Sequence, residues 1–123
     1  MTEFMSVPTQ DLVGSALDWA VGTAVGHQIK MFSLAKNGVY IPDAKGFVKE
    51  IWAPSTDWSQ GGPLIKKYMV AFACFPEDEL KTVWAYCCSG KGEEYGQTHL
   101  IAACRAIVAS VLGETVSVPK ELV

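Results

Sequence analysis

The sequence predicts an α+β fold in which two principal helices pack on a small, mainly antiparallel sheet. Two stretches, residues 11–25 and 98–113, carry alanine at helical spacing and run up to a glycine. Between them lie short runs rich in β-branched and aromatic residues, punctuated by Pro, Gly and Asn-Gly, which is the pattern of strands joined by turns. A chain of 123 residues, 50% of them hydrophobic, suits one domain with its own core. We therefore expect a single domain over residues 1–123, with flexible ends at about 1–8 and 120–123.

The first helix is expected from Asp11 to Val25, with Thr9 or Asp11 as N-cap and Gly26 just past its last turn. Ala16, Ala20 and Ala24 form a small-residue stripe, flanked by Leu12, Leu17, Trp19 and Val21. Gly14 and Gly22 each weaken a helix by about 1 kcal/mol relative to alanine, so packing has to hold this segment. Ile29–Leu34 and Phe47–Trp52 read as strands, separated by Asn37-Gly38 and Pro42-Asp43. The segment Pro54–Pro63, with a proline at each end, Gly61-Gly62 and several small polar residues, reads as an ordered loop.

Tyr68–Phe75 and Thr82–Cys87 flank Pro76-Glu77-Asp78-Glu79 and predict an antiparallel hairpin, with Ser89–Glu94 as an exposed loop. Thr98 is a fitting N-cap for the second helix and Gly113 a fitting residue beyond its end. Leu100, Cys104, Ile107 and Val111 on one side, with Ile101, Val108 and Leu112 beside them, make it a helix buried on most faces. Its remaining side, Ala102, Ala106 and Ala109, matches the alanine stripe of the first helix, so the two stripes are expected to pack within the chain or between copies. Thr115–Val118 is the last expected strand, before Pro119.

Composition narrows the function classes. Charged residues are 19% of the chain, against about 25% in an average soluble domain, and mean hydropathy is +0.19. Some apolar surface should then stay exposed on a monomer, which points to a homo-oligomer, most simply a two-fold dimer. The net charge is −3, Arg105 is the only arginine, and no basic cluster exceeds Lys66-Lys67, so nucleic acid is not an expected partner. The longest apolar run, Met69–Phe75, is far too short to span a membrane, and Met1–Met5 lacks the basic start of a secretion signal. A cytoplasmic protein is expected. Cys74, Cys87, Cys88 and Cys104 sit among apolar residues and read as buried thiols. Adjacent Cys87 and Cys88 point to opposite faces of a strand, so no metal site is expected.

Three segments resemble the NinX-like proteins of temperate tailed phages and prophages: Leu17-Asp18-Trp19-Ala20-Val21; Pro54-Ser55-Thr56-Asp57-Trp58 with Gly61-Gly62-Pro63; and Gly96-Gln97-Thr98-His99-Leu100-Ile101-Ala102-Ala103-Cys104-Arg105. They occur in the family's order and span the chain from the first helix towards Pro119. Where the family reads Gly-Pro-Thr-Pro, this chain has Gly96-Gln97-Thr98-His99, and Cys104 stands where methionine is frequent. The helix start survives, because proline at its first position is favourable but not required. The resemblance implies a phage or prophage accessory role and no particular activity.

No catalytic constellation is legible. G-x-S-x-G is absent, Ser89-Gly90-Lys91-Gly92 lacks phosphate-loop spacing, and His27 and His99 read as structural or surface residues. Neither a cofactor nor catalytic residues are expected. Asp18 and Arg105 are charges inside apolar helices; they point to solvent, pair with each other or with polar groups of Ser55–Asp57, or serve a ligand. Asp18 with Asp57 is the only carboxylate pair to nominate for acid–base work. Trp58 is either a plug pinning its loop to the core or a binding anchor. The loop is expected beside the start of the second helix, whose unpaired amides would suit Asp57. The candidate binding residues are therefore Asp18, Ser55, Thr56, Asp57, Trp58, Gly61, Gly62, Thr98 and Arg105. The expected function is non-enzymatic binding of a host or phage protein; the alternative is a small enzyme or small-molecule binder using residues 54–63 and the start of the second helix.

Overall fold

The computed structural model describes residues 3–32, 38–75, 77–79, 82–88 and 90–123. Its strands are β1 (Phe4–Pro8), β2 (Lys30–Met31), β3 (Val39–Pro42), β4 (Val48–Ile51), β5 (Val70–Cys74), β6 (Val83–Cys87), β7 (Glu93–Gly96) and β8 (Thr115–Pro119). Its helices are α1 (Gly14–Val25), α2 (Trp58–Lys67) and α3 (His99–Leu112). The fold is α+β, with three helices among the described residues rather than the expected two. Its strands form three small antiparallel sheets, β1-β8, β2-β3-β4 and β5-β6-β7.

The central element is α3, which packs on β6 and β7 with one side and on α1 with another. Its starting residue behaves as expected, since Thr98 Oγ accepts the Ile101 amide at 3.1 Å. Alternation along β6 buries Val83, Ala85 and Cys87 and turns Trp84 and Tyr86 to the other face, where their rings lie 4.7 Å apart.

The alanine row of α3 meets β7, not the alanine stripe of α1. A β-carbon on Gly96 would lie 2.5 Å from the Ala102 nitrogen, and one on Gly92 would strike the Ala106 carbonyl. Alanines on the helix, with Gly96 in β7 and Gly92 just before it, allow backbone to approach backbone. Cys104, two residues past Ala102 and so about 200° around the helix, is on the α1 side. There burial, helped by the charge of Asp18, pushes its thiol pKa up.

The ends close on each other. β1 pairs with β8 from Phe4 opposite Pro119 to Pro8 opposite Thr115, and the Lys120 amide donates to the Glu3 carbonyl at 2.8 Å. Residues 4–8 therefore form a strand, although their composition carries no strong signal for one. Thr9 is not the N-cap of α1: its hydroxyl donates to the Gly113 carbonyl at 2.7 Å and its amide to the Glu114 carbonyl at 2.8 Å. Val13 occupies the N-cap position, with no side-chain cap, and α1 starts at Gly14 rather than Asp11. Gly26 ends α1 in the left-handed region, as expected.

The hairpin of β5 and β6 also matches the sequence, while β4 is shorter than the run that suggests it; β2 lies within the expected strand 29–34, of which residues 33 and 34 are outside the described residues. The expected Asn37-Gly38 turn lies outside the described residues at Asn37, as does Pro76 of the hairpin turn. Cys74 and Cys88 are exposed, contrary to the reading of four buried thiols, because Cys74 ends an outer strand and Cys88 follows the last residue of β6.

Ala106 has no exposed surface. We expect Ala106→Leu to overpack the α3–β7 contact and lower stability by about 1–3 kcal/mol in urea denaturation. A variant as stable as the parent would show that β7 does not press on this row.

Candidate functional site

The segment expected as a loop, residues 54–63, is a turn followed by the first half of α2. Asp57 and Gln60 stand at the N-cap and third helical positions, the spacing of a capping box. Asp57 Oδ1 accepts the Ser59 amide at 2.9 Å and the Ser59 hydroxyl at 2.6 Å, and these bonds hold its carboxyl below the usual range. Asp57 thus caps its own helix, not α3. Gln60 reaches outward instead: its carbonyl accepts the Ala53 amide at 2.6 Å, and its nitrogen donates to the Ile51 carbonyl at 2.6 Å. Pro63 lies inside the helix, removing one amide donor, while buried Leu64 secures the following turn.

Asp18 anchors the turn from behind. It is 6% exposed; its Oδ1 accepts the Ser55 amide at 2.9 Å and its main-chain carbonyl accepts Trp52 Nε1 at 3.0 Å. One residue of α1 thereby fixes both ends of the segment 52–55. Burial pushes its carboxyl pKa up to about 6, against the opposing pull of the Ser55 amide. The Ser55 hydroxyl is fully enclosed and out of hydrogen-bonding geometry with any described group.

Turn, α2 and α3 enclose a hollow of about 260 Å³ lined by Ser55, Thr56, Trp58, Thr98, Leu100 and Ile101. Four of the residues nominated from sequence therefore share one surface. Trp58 is 57% exposed and is no plug; that position belongs to Trp52, 5% exposed. Gly61 lets α2 close in, since a β-carbon there would lie 2.5 Å from the Pro54 carbonyl and 2.6 Å from Leu100 Cδ2. Gly62 faces only the Trp58 ring, at 4.0 Å. A second depression, of about 430 Å³, lies on the α1 side of the same turn, with Ser15, Asp18, Thr56 and Leu122 on its walls.

Arg105 is elsewhere. Its Nε donates to the Leu12 carbonyl at 2.9 Å and its Nη1 to the Tyr95 carbonyl at 2.8 Å, so it ties the approach to α1 to β7 and pairs with main chain rather than with Asp18. Burial lowers its pKa, opposed by Glu94 and Asp11. Both histidines make ring contacts, His27 with Trp52 at 4.9 Å and His99 with Phe72 at 5.0 Å.

Sequence reasoning missed Trp52 and Gln60. The Asp57-x-x-Gln60 spacing was the available signal, but the flanking prolines and Gly61-Gly62 outweigh it in a turn-based reading. Chemically, Asp18 can exchange a proton near neutrality, whereas Asp57 is exposed and engaged with Ser59. Among the described residues, no cluster of three or more His, Cys, Asp or Glu could hold a metal ion, and no helix is long and apolar enough to cross a membrane.

The family model described as Bacteriophage P22, NinX matches residues 8–111. No curated protein matches the chain.

The raised pKa of Asp18 has a definite sign. Between its ordinary value of 3.8 and about 6, the folded chain keeps a proton that the unfolded chain releases. This contribution is complete below about pH 4 and is lost as pH rises through about 6, amounting to about 3 kcal/mol. Asp18→Asn keeps an oxygen acceptor for the Ser55 amide but cannot titrate. In urea denaturation its stability relative to the parent should rise by up to about 3 kcal/mol between pH 4 and pH 7. A relative stability independent of pH would contradict the assignment.

Proposed function

The chain belongs to the NinX family of bacteriophage P22, and we propose that it is a non-enzymatic accessory protein that acts as a dimer in the host cytoplasm by binding a host or phage protein. The observation that carries this reading is the number of large apolar side chains on the surface, among them Phe47, Ile51, Trp58 and Met69. Leaving them in water is unfavourable unless something covers them. The polar groups of the turn and α2 are engaged internally, Asp57 with Ser59 and Gln60 with Ile51 and Ala53, and Arg105, away from the hollow, is engaged with Leu12 and Tyr95. What the 260 Å³ hollow offers outward is the Trp58 ring, Ile101 and the Thr98 hydroxyl, which suits an apolar side chain with a polar tip better than acid–base chemistry.

A small-molecule binder or small enzyme is the second reading. Asp18, with a pKa of about 6 on the wall of the 430 Å³ depression, supports it. The two readings separate in one comparison. Tagged parent, Trp58→Ala and Asp18→Asn proteins are used to capture binders from infected-cell lysate, and the same proteins are screened by thermal shift against nucleotides, sugars and metabolites. We expect a captured protein whose yield falls at least about tenfold with Trp58→Ala and is unchanged with Asp18→Asn, together with a flat thermal screen. A ligand that raises the melting temperature of the parent but not of Asp18→Asn would establish the second reading instead.

A further inference from the structure

Strand edges are treated unequally in this molecule. Cys88 donates its amide to the Met69 carbonyl at 2.9 Å, and the register from Val70 opposite Cys87 to Cys74 opposite Val83 is unbroken. The amides and carbonyls of Ala71 and Ala73 therefore face β6, and those of Val70, Phe72 and Cys74 face away from it. β5 is the outer strand of its sheet, and among the described residues Val70, Phe72 and Cys74 have no hydrogen bond on that outer side. The run Met69–Phe75 contains no charge and no proline, so nothing of the usual kind guards it.

The other edges of the two three-stranded sheets are guarded. On β4 the Gln60 carboxamide occupies the Ile51 carbonyl and the Ala53 amide, in the manner of a neighbouring strand, and Lys49 and Glu50 add charge. On β7 Arg105 occupies the Tyr95 carbonyl. β2 is two residues long and includes Lys30. Among the described edges of these two sheets, only that of β5 is long, apolar and bare.

We propose that β5 pairs with β5 of a second copy, antiparallel about a two-fold axis at Phe72, joining the two β5-β6-β7 sheets into one. This register satisfies every outward group of Val70, Phe72 and Cys74: Phe72 pairs with its own copy, and Val70 with Cys74 of the other chain. Shifting the axis to Ala71 or Ala73 leaves some of these groups unpaired. The same register sets Met69 opposite Phe75 of the other copy. Both are exposed, at 61% and 45%, and a thioether meeting an aromatic ring is a favourable contact. Met69 also has φ 51, the only described non-glycine residue with positive φ. Glycine would hold that backbone with less strain, and the methionine there leaves most of its surface open to a contact outside the monomer.

The inference rests on the proposed dimer and specifies its interface. The test combines sedimentation equilibrium with cysteine cross-linking. In Cys74→Pro the lost amide faces outward, so the monomer should keep its fold and melting temperature, while the dimer dissociation constant should rise roughly 100-fold. In a Cys74→Ser, Cys88→Ser background, Ala71→Cys and Ala73→Cys should form a disulfide-linked dimer when the two variants are mixed and oxidised, because Ala71 lies opposite Ala73 of the other copy; neither should do so alone. Cross-linking remains decisive if Cys74→Pro fails to fold. A dimer unaffected by Cys74→Pro, or Ala71→Cys linking to itself, would overturn this interface while leaving the dimer standing. A strict monomer, or β5 occupied by a strand of an unrelated protein, would overturn the self-pairing outright.

Discussion

Asp18 places an ionisable group where α1 meets the core, and the chain satisfies it with a segment thirty-odd residues away. An isolated buried carboxylate is strongly unfavourable. Here the Ser55 amide bonds to one carboxylate oxygen, while Trp52 bonds to the carbonyl of the same residue. The segment 52–55 is held between these contacts, and its continuation begins α2 at a fixed place beside the start of α3. The hollow under Trp58 exists because of that placement. A single amide donor compensates the charge only in part, which is why the pKa rises to about 6 although the Ser55 amide opposes the rise.

Around this anchor the molecule is organised by close approach of backbone to backbone. Gly61 admits α2 to Leu100, and Gly92 and Gly96 admit β7 to the alanine row of α3. Such contacts gain dispersion energy over many atoms and tolerate little added volume. Arg105 then closes the remaining gap by bonding carbonyls of two different segments. The charge in the middle of α3 is thus a structural tie, and its planar fork of donors suits two carbonyls approaching from different directions.

The parts of the fold legible in the sequence are those with a local cause. α3 was readable because Thr98, the apolar periodicity and Gly113 agree, and the β5-β6 hairpin because both strands carry β-branched and aromatic residues. α2 was obscured because Pro63 and Gly61-Gly62 are strong turn signals, whereas its cap, Asp57 with Gln60, is a weak one. β1 was missed because its pairing with β8 joins the two ends of the chain, and no local pattern encodes that register. The nominated site was legible in part. Ser55, Thr56, Trp58 and Thr98 line one hollow, and Asp18 lies behind it, but the exposure of Trp58 and the burial of Trp52 are tertiary facts that residue type alone cannot separate. The partner of the α3 alanines was misassigned for the same reason, since alanine spacing declares a close contact without naming what approaches.

The central claim is that a buried, titrating Asp18 holds the turn on which the candidate site is built. Its most direct measurement is the amide resonance of Ser55 followed by NMR from about pH 2.5 to about pH 8, because that amide donates to the carboxylate. It should titrate with a midpoint at about 6, the value for Asp18 in the fold. A midpoint at the ordinary carboxylate value of 3.8, or an amide indifferent to pH, would contradict the account.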